Sequence, residues 1–245
     1  MNPHILALIP HYNHPKTIAQ VVAAMRDLDL TVLVVDDGSR DECHALLRDL
    51  VSEHVHVVFR SKNGGKGAAV KTGLWYAEQH RYTHVLQVDA DAQHNLNDSI
   101  KLIQAARDNP QAVICAQPQY SDDAPKSRLY GRKITDFWNG IHTLSTDIKD
   151  GMCGFRLYPL APCVHLLRTV NLGDRMDFDN EILVRLHWLG VPFIWIKTPV
   201  RYEAGGVSHF RAWEDNVLIS KMHARLFFGM LLRCFGLKRD RLPEK

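Results

Sequence analysis

Ile5-Leu6-Ala7-Leu8-Ile9-Pro10 is an unbroken apolar run closed by a proline, and its reading decides the fold. A strand with one wet face alternates polar and apolar residues. A continuous apolar run of strand length belongs to a strand covered on both faces, as in parallel sheets. The pattern continues outward from it. Lys16 to Leu28 has helical spacing, with Ile18, Val21, Val22 and Met25 on one side. Thr31-Val32-Leu33-Val34-Val35 is a second strand, ending in Asp36-Asp37-Gly38-Ser39, and Asp41 to Val51 is again helical. Val55 to Phe59 is a third strand, and Gly64-Gly65-Lys66-Gly67 opens a helix that runs to Glu78. Val85 to Val88 is a fourth strand, Asn97 to Arg107 a helix, and Ala112 to Ala116 a fifth strand. This alternation predicts a mainly parallel α/β sheet with right-handed crossovers and helices on both faces. Ligands of such sheets sit beyond the carboxyl ends of the strands. Pro10-Tyr12-Asn13, Asp36-Asp37 and Asp89-Asp91 all follow strands, so they are expected on one edge.

After Gln117 the pattern changes. Arg128 to Leu144 reads as a helix, Asp150 to Arg156 as a turn into a short strand, Asp177 to Leu189 as a helix ended by Gly190 and Pro192, Phe193 to Ile196 as a strand, and Trp213 to Phe235 as a last helix. With 245 residues the chain suits one large α/β domain. Its expected division is 1–212 for the main domain and 213–245 for a C-terminal amphipathic, basic element. A net charge of +3 is too mild to argue for nucleic acid. Five scattered cysteines without a C-x-x-C pair argue against a disulfide framework or zinc site and favour a reducing compartment. No signal peptide and no membrane-length apolar stretch is read.

The chemistry gathers at Asp89-Ala90-Asp91. Two carboxylates one residue apart at a strand end can share a hard cation, which suits diphosphate oxygens. Alone, such a pair is as well explained by a solvated turn or a helix N-cap. Asp37 after the second strand can accept from a base N–H or ribose hydroxyl; it or Ser39 can equally cap the next helix. Asn63-Gly64-Gly65-Lys66-Gly67-Ala68-Ala69 lacks the G-x-x-x-x-G-K-[ST] pattern of a P-loop. Its small residues admit close approach of another backbone or a ligand, and Lys66 can face a phosphate.

Together, Ile9-Pro10-His11-Tyr12-Asn13, Val34-Val35-Asp36-Asp37-Gly38-Ser39, Asn63 to Ala69 with Gly73, and Asp89-Ala90-Asp91-Ala92-Gln93 resemble family 2 glycosyltransferases in order and spacing. Asp150-Gly151-Met152-Cys153-Gly154-Phe155-Arg156, Asp179-Asn180-Glu181 and Gly206-Val207-Ser208-His209-Phe210 look most like the polyprenyl-phosphate branch, the dolichyl-phosphate mannose and glucose synthases. The resemblance spans roughly residues 5–210. It implies a GT-A fold and inverting transfer of a hexose from a UDP- or GDP-sugar. Carried over by position, Pro10, Tyr12, Val35 and Asp37 would hold the nucleoside. Lys66, Asp89, Ala90 and Asp91 would meet the diphosphate. Asp89, Asp91 and Gln93 would hold Mg²⁺ or Mn²⁺. Arg128 and Arg132, with Arg201 and Ser208, would serve the acceptor, since guanidinium forks match phosphate oxygens; at i, i+4 the first two are also a plain solvated face. Two departures stand out. His14 replaces a frequent Glu, and the usual Arg-x-x-Gly-x-Ser-Lys is stretched to Arg201 through His209.

A hydroxyl acceptor needs a base and an ionised phosphate does not. Asp179, with Gly190, resembles the base of hydroxyl-acceptor members, whereas Glu181 resembles the Glu of the polyprenyl-phosphate branch. Both are present, so the sequence does not choose; favourable charge at a helix start explains either as well. On the last helix Lys221, Arg225, Gly229 and Arg233 form a polar stripe amid Leu218, Ile219, Met222, Leu226, Phe227, Phe228, Met230, Leu231, Leu232 and Phe235. That pattern suits either an anionic membrane surface or packing on the core. The expectation is a glycosyltransferase, cytoplasmic or peripheral on the inner membrane's cytoplasmic face, acting on a lipid-linked acceptor. A homo-oligomer is compatible with the sequence. The alternatives are a hydroxyl acceptor with Asp179 as base, a sugar nucleotidyltransferase, and a non-catalytic sugar-nucleotide binding module.

Overall fold

The computed structural model describes residues 2–120, 126–200 and 211–237, without the side chains of 126–129 and 212. Seven strands form one sheet: β1 (Ile5–His11), β2 (Thr31–Asp36), β3 (Val55–Phe59), β4 (His84–Gln87), β5 (Val113–Tyr120), β6 (Arg156–Pro159) and β7 (Phe193–Val200). Their spatial order is β3-β2-β1-β4-β6-β5-β7. All seven residues of β1 are buried. Leu6 and Leu8 face one core with Leu33 and Val35, and Ala7 and Ile9 face the other with Val32 and Val34. A strand with two dry faces needs that unbroken apolar run.

The helices follow from the same requirement. α1 (Ile18–Arg26), α2 (Asp41–Asp49) and α4 (Ser99–Asp108) cover one face through Ile18, Val22, Leu47 and Leu102. α3 (Lys66–Gln79), α6 (Leu160–Thr169), α7 (Phe178–Trp188) and α8 (Ala212–Cys234) cover the other through Leu74, Val164, Ile182 and Leu226. α5 (Lys126–Thr143) packs against α7 and α8. α6 is an element that the sequence reading lacked.

One strand departs from the parallel pattern. β6 runs antiparallel to both β4 and β5, with Arg156 opposite Gln87 and Cys115. Its reversal has a consequence for the site. The start of β6 lies beside the carboxyl end of β4, so the turn Asp150–Phe155 arrives at the same edge as Asp89 and Asp91.

α8 belongs to the same core, since Met222, Leu226 and Met230 are buried. The cationic stripe read on it divides: Lys221 is exposed, while Arg225 and Arg233 reach partners on α7 and α8. Arg225 pairs with Glu181 at 2.8 Å. Arg233 lies over the Trp188 ring at 3.6 Å and donates to the Gly229 carbonyl. Phe228, Leu232 and Phe235, beside the stripe, are exposed. Among the described residues no helix is long and apolar enough to cross a membrane.

Candidate active site

The strand ends of β1, β2 and β4, the turn before β6, and helices α5 and α8 enclose a cleft of about 1850 Å³. Pro10, Tyr12, Asp37, Lys66, Asp89, Ala90, Asp91, Gln93, Arg132 and Asp179 all line it. Residues up to 169 positions apart in the expected set thus meet on one edge, as the switch from strand to loop requires. Val35 and Glu181 do not reach it. Val35 is fully buried in the sheet. Glu181 is fully buried too, and its carboxylate accepts from Arg185, Arg225 and the Gly173 N–H. Arg201, Ser208 and the side chain of Arg128 lie outside the described residues.

At the nucleoside end, neither Asp37 nor Ser39 caps α2, whose N-cap is Arg40 without a side-chain bond. Asp37 accepts instead from the Gly64 and Gly65 N–H groups, at 3.0 and 2.6 Å, and from Arg60. It therefore pins the glycine loop at the start of α3. Gly65 has φ of +103°, a conformation that L side chains rarely adopt. Asp36, fully buried, accepts from His11 at 2.8 Å, His44 at 3.1 Å and the Ser39 N–H at 3.0 Å. Hydrogen bonds to the ionised form outweigh its burial and hold its pKa below the usual carboxylate value.

The centre of the cleft is organised by Lys66. Its Nζ lies 2.7 Å from Asp89 Oδ1 and 2.8 Å from Asp179 Oδ2. Burial alone would push the ammonium down; the charges of Asp179 and Asp89 outweigh it and hold the Lys66 pKa above its ordinary value. Asp89 is likewise lowered, with the Lys66 charge overcoming the cost of burial. Gln87 Nε2 donates to the other Asp179 oxygen at 3.2 Å. A side chain at Gly154 would collide with Lys66 Nζ, and would come within 2.8 Å of Asp89 and of Gln87. Gly154 is thus required by the ion cluster rather than by its own backbone. Arg156, fully buried, donates to the Asp179 carbonyl at 2.5 Å and the Gly151 carbonyl at 3.0 Å, and so ties the turn to α7.

Asp91 is different. Its pKa is pushed up to about 6, first by burial and then by the negative charge of Asp89. The pair carries more negative charge than its neighbours balance. Both groups are hard oxygen donors, and among the described residues no third His, Cys, Asp or Glu joins them. That donor set fits a hard cation completed by substrate oxygens and water.

Arg132 reaches the cleft from α5, and its Nη1 donates to both oxygens of Asp150, at 2.8 and 2.6 Å. Asp150 also accepts from the Met152 and Cys153 N–H groups and so shapes the turn. Farther along, Trp138, Ile219, Phe227 and Phe228 make the wall apolar. There His142 and His223 join α5 to α8 with their rings 3.0 Å apart, nitrogen to nitrogen. Burial lowers both pKa values to about 4, and for His142 the neighbouring ring adds to it. Because the folded pKa values are depressed below about 6.5, the pair's stabilisation is full above that pH and lost as pH falls towards 4. Tm is expected to fall across that window, and less steeply in His142→Phe. An equal slope in thermal scans of both proteins would assign the acid loss to other groups.

Gln87 supports the cluster without having been singled out from the sequence; Gly154 and Arg156 lie in the stretch Asp150 to Arg156 that carries the family resemblance, but no role was read for either.

The fold and cleft are those of a GT-A-type α/β enzyme. Residues 7–164 match the family described as glycosyl transferase family 2, and the chain belongs to that family. A dolichyl-phosphate beta-glucosyltransferase of Dictyostelium discoideum is 24% identical, over 97% of this chain and 78% of that protein. A polyprenol monophosphomannose synthase of Mycolicibacterium smegmatis is 31% identical, over 41% of this chain and 40% of that protein. The crystal structure of mannosyl-3-phosphoglycerate synthase from Rubrobacter xylanophilus superposes with a TM-score of 0.68 at 15% identity, covering 97% of this chain and 76% of that one, a likeness of fold.

Proposed function

We propose that the protein transfers a hexose, with inversion, from a UDP- or GDP-sugar to a polyprenyl monophosphate at a membrane surface. The observation that carries this reading is Lys66 lodged between Asp89 and Asp179. Asp179 is 3% exposed, and its two oxygens already accept from Lys66 and Gln87. Its charge is engaged as a counter-ion of Lys66, which leaves it poorly placed to serve as a base for a hydroxyl. An ionised phosphate attacks without a base. The relatives named above, whose names carry dolichyl phosphate and polyprenol monophosphomannose, support the same acceptor class.

Pro10, Tyr12 and the loop pinned by Asp37 would hold the nucleoside. Asp89 and Asp91, with Gln93, would hold Mg²⁺ or Mn²⁺, which would offset charge on the departing diphosphate. Lys66 would face the same diphosphate. Arg132, held to Asp150 through Nη1, would steady the acceptor phosphate together with Arg128, Arg201 and Ser208. Tyr130, Ile134 and Phe137 on α5 are 61–66% exposed, beside Phe228 and Phe235 on α8. An apolar face at the cleft mouth suits a bilayer surface, from which a lipid acceptor would enter.

A hydroxyl acceptor is the second reading, favoured by Asp179 lying in the cleft wall. The discriminating experiment supplies labelled UDP- and GDP-sugars with Mg²⁺ or Mn²⁺ and offers polyprenyl phosphate or the matching polyprenol. Product from the phosphate alone is expected. Product from the alcohol alone would transfer the assignment to the second reading.

A further inference from the structure

The glycines Gly65 and Gly67 at the start of α3 admit a partner, and that partner is a loop from far along the chain. The Ala68 N–H donates to the Asp174 carbonyl at 2.8 Å. A side chain at Gly65 would come within 2.7 Å of the Asp174 carbonyl and collide with Arg175; one at Gly67 would run into Phe178 and come within 2.9 Å of Gly173 and Asp174. Lys71 closes the contact by pairing with Asp174 and donating to the Leu172 carbonyl at 3.0 Å. Backbone packed this closely onto a helix start is held in place, and it delivers Arg175 into the cleft wall beside Lys66 and Asn63.

Arg175 is a cation with a vacancy. Its Nη1 donates to Asn63 Oδ1 at 3.2 Å, a neutral oxygen. Among the described residues no carboxylate pairs with it, whereas the nearby Lys71 and Arg60 each pair with one and Lys66 with two. A guanidinium has five donors, and a single amide oxygen leaves most of them for a ligand. Arg175 also lies by the N-terminus of the 14-residue α3, whose dipole adds positive potential there, while the Gly64, Gly65 and Ala68 N–H groups are already taken by Asp37 and the Asp174 carbonyl.

We propose that Arg175 binds phosphoryl oxygens of the nucleoside diphosphate, as a donor-side residue separate from Asp89 and Asp91. This rests on the glycosyltransferase reading for its ligand, but not on the identity of the acceptor. Arg175 sits on the nucleoside side of Lys66, against the loop that Asp37 pins, so the diphosphate rather than the acceptor phosphate is its ligand. A fork matched to two oxygens also makes Lys a poor substitute.

The test is calorimetric titration of the full chain with UDP and GDP, and with UMP and GMP, in Mg²⁺, for the wild type, Arg175→Gln and Arg175→Lys. Binding of whichever diphosphate the wild type prefers should weaken about 10–100-fold in Arg175→Gln, the range of one charge-assisted contact, and only partly recover in Arg175→Lys. Binding of the monophosphate should change less than threefold. Equal losses for both nucleotides, or none, would overturn the proposal. So would an Arg175→Gln enzyme with intact diphosphate binding and a raised KM for polyprenyl phosphate, which would give Arg175 to the acceptor. If the wild type binds neither diphosphate, the glycosyltransferase reading fails first, and that outcome is visible before any variant is made. Matching Tm values for Gln and Lys variants separate a lost contact from a lost fold.

Discussion

Asp91→Asn is expected to lower metal-supported turnover by on the order of 10³-fold while leaving Tm unchanged or higher. The loss follows from removing one of two hard ligands beside the diphosphate, where a cation contributes several kcal/mol to the transition state. The stability follows from charge. Asp91 is pushed up to about 6 by burial and by Asp89, so above that pH its ionised form works against folding. Asn keeps the shape and the hydrogen bond from the Gln93 N–H, seen at 3.1 Å, and drops the repulsion. Rates measured over a Mg²⁺ and Mn²⁺ series, with thermal scans at pH 7.5, check both halves. Wild-type turnover in the variant would remove the metal from Asp91.

Lys66→Met is expected to cost both stability and turnover. It leaves Asp89 and Asp179 facing a shared gap without their counter-ion. Breaking a buried pair from one side costs about 3–5 kcal/mol, because the orphaned charges stay desolvated. The double variant Lys66→Met/Asp179→Asn removes one of the orphaned charges and should regain most of that stability. Its turnover should stay low, since the Lys66 ammonium is then missing from the diphosphate site. Urea unfolding of the two variants beside the wild type measures the difference. A single variant as stable as the wild type would mean that Lys66 does not hold the cluster together.

The strands and the order of most helices were legible because burial on two faces writes itself as unbroken apolar runs. Ile5 to Ile9 and Thr31 to Val35 are such runs, and β1 and β2 hold them. The edge that carries the site was legible for the same reason, since Asp37, Asp89 and Asp91 each follow a strand end. What the sequence could not convey was direction and long-range pairing. Nothing in Arg156-Leu157-Tyr158-Pro159 distinguishes an antiparallel strand from a parallel one, yet its reversal brings Gly154 to Lys66. The stripe Lys221, Arg225, Arg233 shows helical spacing but not which side meets Glu181 and Trp188. Likewise, Gly65 and Gly67 announce close approach, while their partner lies more than a hundred residues away at Gly173–Arg175.

The measurement to make is the turnover of Asp179→Asn with polyprenyl phosphate as acceptor, beside the wild type and across pH 6 to 9. As a counter-ion of Lys66, which keeps its other partner Asp89, Asp179 should be replaceable at a cost of about tenfold or less, with the shape of the pH profile kept. A loss of about 10³-fold or more, together with a vanished acid limb, is the signature of a general base and would contradict the phosphate-acceptor assignment.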